Sequence, residues 1–182
     1  MPRLDLVPIF MPGRQEMFNR LSRDLELHLH LKIHQHRPHF DAQASFDATR
    51  GQYNSTTLLR MLLDDAPVET DYILGICGVD LFIPVLTYVF GEAQLSGSAA
   101  VISIHRLDQL VYGLSADEEL LYQRLLKEAI HELGHCFGLV HCHDPACVMR
   151  ASTYVEDIDM KPATFCQQCA LMEGTSTCGT SP

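Results

Sequence analysis

The sequence predicts an α/β fold: a mixed, mostly parallel twisted sheet with helices packed on it, followed by a small C-terminal subdomain. Three observations predict it. Short apolar runs alternate with segments of helical periodicity, the pattern of strands joined by crossover helices. The run Tyr72 to Cys77 is apolar throughout, as in a central strand buried on both faces. Further strand candidates then follow one another before the clearest helix in the chain, which makes the sheet mixed rather than purely parallel. The 182 residues, 47% of them hydrophobic, are one domain's worth of sequence and enough to bury a core.

Leu4 to Phe10 reads as the first strand, closed by Pro12 and Gly13. Arg14 to Arg23 reads as a helix with Met17, Phe18 and Leu21 on one side. From Leu25 to His34 the residues alternate strictly. Leu25, Leu27, Leu29, Leu31 and Ile33 face one way, and Glu26, His28, His30, Lys32 and His34 the other, which predicts a half-buried strand. His36 to Asn54 is polar and reads as loop. Ser55 to Asp64 is helical, carried by Leu58, Leu59, Met61, Leu62 and Leu63. Leu86 to Phe90 and Ala99 to Ile104 are two more strands. Ser115 and Glu118 form a capping-box pattern that opens the long helix, with Asp117, Glu118 and Glu119 in its first turn. Leu125, Leu126, Ala129, Ile130, Leu133, Cys136 and Phe137 make its apolar arc. His131 and His135 fall on the other side with Arg124, Lys127 and Glu128, facing a prospective cleft.

Residues 131–141 read His-Glu-Leu-Gly-His-Cys-Phe-Gly-Leu-Val-His. His131 and His135 stand one helical turn apart, so both imidazoles leave the same face and can share one zinc ion. Glu132 is rotated away from the ion but long enough to reach a water bound to it. Gly138 suits a positive φ and lets the chain turn, so that His141 returns as the third ligand. Three protein ligands leave one corner open, as in a catalytic rather than a structural zinc site. Downstream, Cys142, Cys147, Cys166 and Cys169 include a C-x-x-C pair and can close a four-thiolate structural zinc site, so two Zn2+ per chain are expected. Cys77 and Cys136 read as core, and Cys178 lies in a Gly/Ser/Thr-rich tail.

The stretch 131–141 resembles the zinc signature of the metzincin clan. Cys142, Cys147, Met149 and Cys166-Gln-Gln-Cys169 narrow that resemblance to the archaemetzincin family. The resemblance implies a metzincin-like fold and a zinc-dependent peptidase, with Met149 beneath the three histidines as an apolar base rather than a ligand. It also implies that the edge strand Leu86 to Ala93 binds an extended peptide by strand addition. Glu92 would then be a candidate contact for a substrate amino terminus, which suits an aminopeptidase. Where some metzincins carry a tyrosine two residues after the methionine, this chain has Ala151; Tyr154 is out of register and is given no role. One domain, 1–182, is expected, divided into 1–138 with the sheet and the active-site helix and 139–182 with the methionine turn and the cysteine site. The rival reading is a zinc-stabilised peptide-binding module with weak or no peptidase activity, which metal content would help separate.

A net charge of −10 argues against nucleic acid and anionic lipid as partners. No apolar stretch approaches the ~20 residues needed to cross a bilayer, and Met1 to Phe10 is too short and proline-rich for a signal peptide. A cytoplasmic monomer acting on peptides is expected. His28, His30, His34, His36 and His39 invite a metal hypothesis, but no partner at a diagnostic spacing accompanies them. They read as a wet strand face and its adjoining loop.

Overall fold

The computed structural model describes residues 1–176, with side-chain surroundings to 172; Cys178 lies outside the described residues. Strand β1 (Arg3–Ile9) is followed by helix α1 (Gln15–Leu29) and strand β2 (Lys32–Gln35). After a 3-10 turn at Ala42–Ser45 come β3 (Phe46–Asp47), β4 (Gln52–Asn54), α2 (Ser55–Asp65), β5 (Tyr72–Cys77) and β6 (Leu81–Phe82). Then follow β7 (Gly91–Ala93), β8 (Ala99–Ser103), α3 (Glu118–Cys136), α4 (Val155–Met160) and α5 (Gln167–Ser176). The main sheet has the order β2-β1-β5-β8-β7, and β3-β4-β6 form a small second sheet. Every pairing in the main sheet is parallel except that of β7 with β8, so the sheet is mostly parallel with one antiparallel edge.

Alternation along the parallel strands divides the core in two. Leu4, Leu6, Leu74, Ile76, Ala100 and Ile102 face α1 and α3, while Val7, Ile9, Ile73, Cys77, Ala99 and Val101 face α2. The thiols of Cys77 and Cys136 are buried as expected, and burial pushes each up to about 12.

The alternating segment at 25–34 is not one strand. Helix α1 continues to Leu29, His30 takes a left-handed turn at φ 52°, and only Lys32–Gln35 is extended. Leu21, Leu25 and Leu29 recur every fourth residue and are buried, whereas Leu27 is 75% exposed. The helical period therefore wins over the period of two. The connection also demands it, since β1 and β2 are parallel neighbours and need a crossover long enough to return the chain.

Residues 86–90 form no regular strand either; Val89 makes a single antiparallel bridge to Leu81. The Arg50 guanidinium donates to the carbonyls of Leu86 at 2.8 Å and Thr87 at 3.0 Å, which withdraws both acceptors from strand pairing. The edge strand is confined to β7. The polar stretch 36–54, expected as loop, contains the 3-10 turn, β3 and β4.

Helix α3 starts two residues later than the S-x-x-E pattern suggests. Asp117 caps it, accepting from the Leu120 amide at 2.9 Å, while Glu118 pairs with Arg14, just before α1, and Glu119 with Arg20 within it. Its polar side is not open as expected: Arg124 and Glu128 are buried beneath the C-terminal segment. Arg124 makes a bidentate pair with Asp159, both bonds 2.7 Å, and Lys161 pairs with Glu128 at 3.0 Å. Among the described residues, no helix is long and apolar enough to cross a membrane.

Candidate active site

The last two turns of α3 carry His131, Glu132 and His135. Gly138 at φ 92° turns the chain, with its amide bonded to the His135 carbonyl at 2.9 Å, and His141 comes back over the helix end. The three imidazoles meet, with centroids 4.8 Å apart for His131–His135, 5.0 Å for His135–His141 and 5.4 Å for His131–His141. One ring nitrogen from each lies within 4.8 Å of the others.

Hydrogen bonds orient two of these rings. His131 Nδ1–H donates to the Val148 carbonyl at 2.8 Å, and His135 Nδ1–H to the Leu139 carbonyl at 2.7 Å. Both protons are thereby placed on Nδ1, and both Nε2 lone pairs point inward, 3.2 Å from each other. Two lone pairs facing at that distance repel unless a cation lies between them, so the donor set fits a zinc ion. Burial, reinforced by the Lys161 charge, pushes His131 well below the ordinary histidine range. Burial lowers His135 and His141 as well, which keeps all three rings in the neutral, ligating form.

Glu132 is buried against the edge strand. A β-carbon added to Gly91 of β7 would come 2.7 Å from its Oε1, so the strand backbone and the carboxylate are in direct contact. Burial, with the Glu128 charge adding to it, holds the Glu132 carboxyl well above its ordinary value, which makes it a stronger proton acceptor. A cleft of about 550 Å³ lies over the site, lined by the three histidines, Glu132, Glu128, residues 86–91 and residues 151–154. Met149 is fully buried beneath the helix, its sulfur packed against Gly134, where a β-carbon would collide with it.

The four cysteines also converge. The sulfurs of Cys142, Cys147, Cys166 and Cys169 all lie within 4.8 Å of one another, with Cys142 and Cys166 at 3.9 Å. Tetrahedral zinc with bonds of ~2.3 Å needs sulfurs about 3.8 Å apart. The Cys166 amide donates to the Cys147 sulfur at 3.4 Å and the Asp144 amide to Cys142 at 3.5 Å, as backbone amides do around thiolates.

Glu92 does not enter the cleft. It turns to the opposite face of the sheet, where the hydroxyls of Ser55 and Thr56 at the start of α2 donate to it, Thr56 at 2.8 Å. Sequence reasoning missed three participants. Glu128 lies one turn before Glu132 on the same face, a spacing that was visible; Lys161, whose Nζ is 3.5 Å from His131 Nδ1, carried no local signal. Tyr154 lines the cleft despite standing out of register with the methionine turn.

A histidine-lined, carboxylate-flanked cleft along the antiparallel edge of such a sheet defines a zinc metallopeptidase, a hydrolase. The model of peptidase family M54 matches residues 19–173. An archaemetzincin of Archaeoglobus fulgidus is 46% identical over 125 residues, covering 69% of this chain and 71% of its own. One of Methanopyrus kandleri is 36% identical over 174 residues, covering 91% and 93%. The crystal structure of the Methanopyrus kandleri archaemetzincin superposes with a TM-score of 0.85 at 34% identity, over 97% of this chain and 95% of that one. A zinc-dependent peptidase of Methanocorpusculum labreanum superposes with a TM-score of 0.81 at 28% identity, over 93% and 99%. The chain belongs to peptidase family M54, with the archaemetzincins.

Proposed function

We propose that His131, His135 and His141 hold the catalytic zinc and that Glu132 is the general base of peptide-bond hydrolysis. The observation that carries this is the pair of inward Nε2 atoms 3.2 Å apart, with a buried carboxylate on the next residue. When bound, the zinc supplies Lewis acidity that polarises a carbonyl group and acidifies water. Glu132 takes the proton from the attacking water on a carboxylate oxygen and passes it to the departing amine. Gly91 and its neighbours in β7 present an edge along which an extended peptide lies, with the scissile bond beside Glu132.

Cys142, Cys147, Cys166 and Cys169 are proposed to hold a second, structural zinc, giving two per chain. Gly138 frees His141 to reach the first ion, and Met149 supports it from below. On this reading residues 1–138 form the part with the sheet and residues 139–182 the part pinned by the thiolates. The family resemblance and the compact chain lean toward short peptides, so an aminopeptidase acting on them is proposed, without Glu92 as the contact for the amino terminus. It would work as a cytoplasmic monomer without nucleic acid or membrane.

Glu132→Gln tests the central role. The variant should keep its zinc content while peptide turnover falls by ~10³-fold or more; turnover within a few-fold of wild type would sink the assignment. The same digest with free and acetylated peptide termini decides the aminopeptidase reading.

A further inference from the structure

Far from the cleft, two histidines and a carboxylate meet at the end of α2. We propose that His36, His39 and Asp65 form a further site for a divalent transition-metal ion, zinc being the ion the donor set suits. The site ties the chain leaving β2 to the C-terminus of α2.

His36 Nε2 lies 3.0 Å from Asp65 Oδ2, and His39 Nδ1 lies 3.2 Å from Asp65 Oδ1. The His39 amide also donates to Asp65 Oδ2 at 3.1 Å, so the loop is folded around the carboxylate rather than brushing past it. The two rings meet edge to face with centroids 5.2 Å apart, and the three ligand atoms all fall within 4.8 Å. Ligands bound to one tetrahedral zinc at ~2.1 Å stand about 3.4 Å from each other. The two histidine–carboxylate separations, 3.0 and 3.2 Å, are already within a few tenths of an ångström of that, and the hydrogen bonds to the carboxylate gather both rings around it.

Exposure supports the same reading. The side chains of His36 and Asp65 are 16% and 12% exposed, while that of His39 is 75% exposed. The ion would be held from the protein side and keep positions open for water. Asp65 is the last residue of α2, where the helix dipole favours positive charge, and the chain's net charge of −10 favours it further. Ser55, at the other end of this 11-residue helix, lies about 15 Å away and bonds Glu92 beside the edge strand. The site acts at a distance from the chemistry and fastens a loop.

Full-length protein equilibrated with micromolar free zinc and freed of excess by gel filtration provides the test. Wild type should carry one more zinc per chain than either His39→Ala or Asp65→Asn. The exposed His39 keeps the comparison valid if the Asp65 variant folds poorly. Ring-nitrogen NMR should show His36 Nε2 and His39 Nδ1 shifting on zinc addition, with peptidase activity equal in wild type and His39→Ala. Equal zinc content in wild type and His39→Ala, or ring signals unmoved by zinc, would overturn the proposal.

Discussion

Gly91 has no side chain to spare, because the Glu132 carboxylate fills the space a β-carbon would need. Gly91→Ala should displace that carboxylate while leaving the histidines alone. Turnover should drop by about 10–100-fold with zinc content unchanged, a split that steady-state kinetics and elemental analysis read together. Asp80 makes a second prediction at this scale. Burial alone would raise its carboxyl, but hydrogen bonds from Arg106 and Gln52 outweigh burial and hold it below its ordinary 3.8. A folded-state value below the unfolded one gives stability that is present above 3.8 and lost as the pH falls through the folded value. Asp80→Asn should therefore cost roughly 2 kcal/mol near neutrality. Denaturant titrations of the variant and wild type should converge in acid.

At the level of elements, α1 decides how the first crossover is built. Leu25→Ala should cost about 2–4 kcal/mol, and Leu27→Ala less than ~0.5 kcal/mol, because one side chain is in the core and the other in water. A strand would bury both leucines and make the two costs similar, so paired melting curves distinguish the arrangements. The sequence of this segment satisfies both periods at once, since Leu25 and Leu29 are separated by four residues and also by two alternations. Local pattern could not choose; the parallel partner of β1 could. Tyr72–Cys77 and Ala99–Ser103 were legible because strands buried on both faces leave no polar register to confuse. Residues 86–90 were not, because the cation that claims their carbonyls stands 36 positions upstream.

For the molecule as a whole, the two ligand sets differ in closure. On the proposed assignment, four thiolates would surround an ion, while three imidazoles would leave it open to the cleft. On the same assignment, graded chelation should remove zinc from His131, His135 and His141 before it removes zinc from the four cysteines, abolishing turnover with only a small change in melting temperature. Removal of the second ion should then lower the melting temperature strongly; parallel assays of zinc, activity and unfolding check the order. The histidine cluster was readable because one helix and one turn bring all its members within eleven residues. The pairing of His36 and His39 with Asp65, and of Lys161 with Glu128, depends on how separate elements dock, and no spacing along the chain encodes it.

The rim of the cleft is braced from outside it. Arg50 stacks over the Phe82 ring at 4.2 Å and clasps the backbone of Leu86 and Thr87, both of which border the opening. One guanidinium, in the turn between β3 and β4, thus holds a border of the cleft in place. Replacing Arg50 would release that border while leaving the three histidines in place.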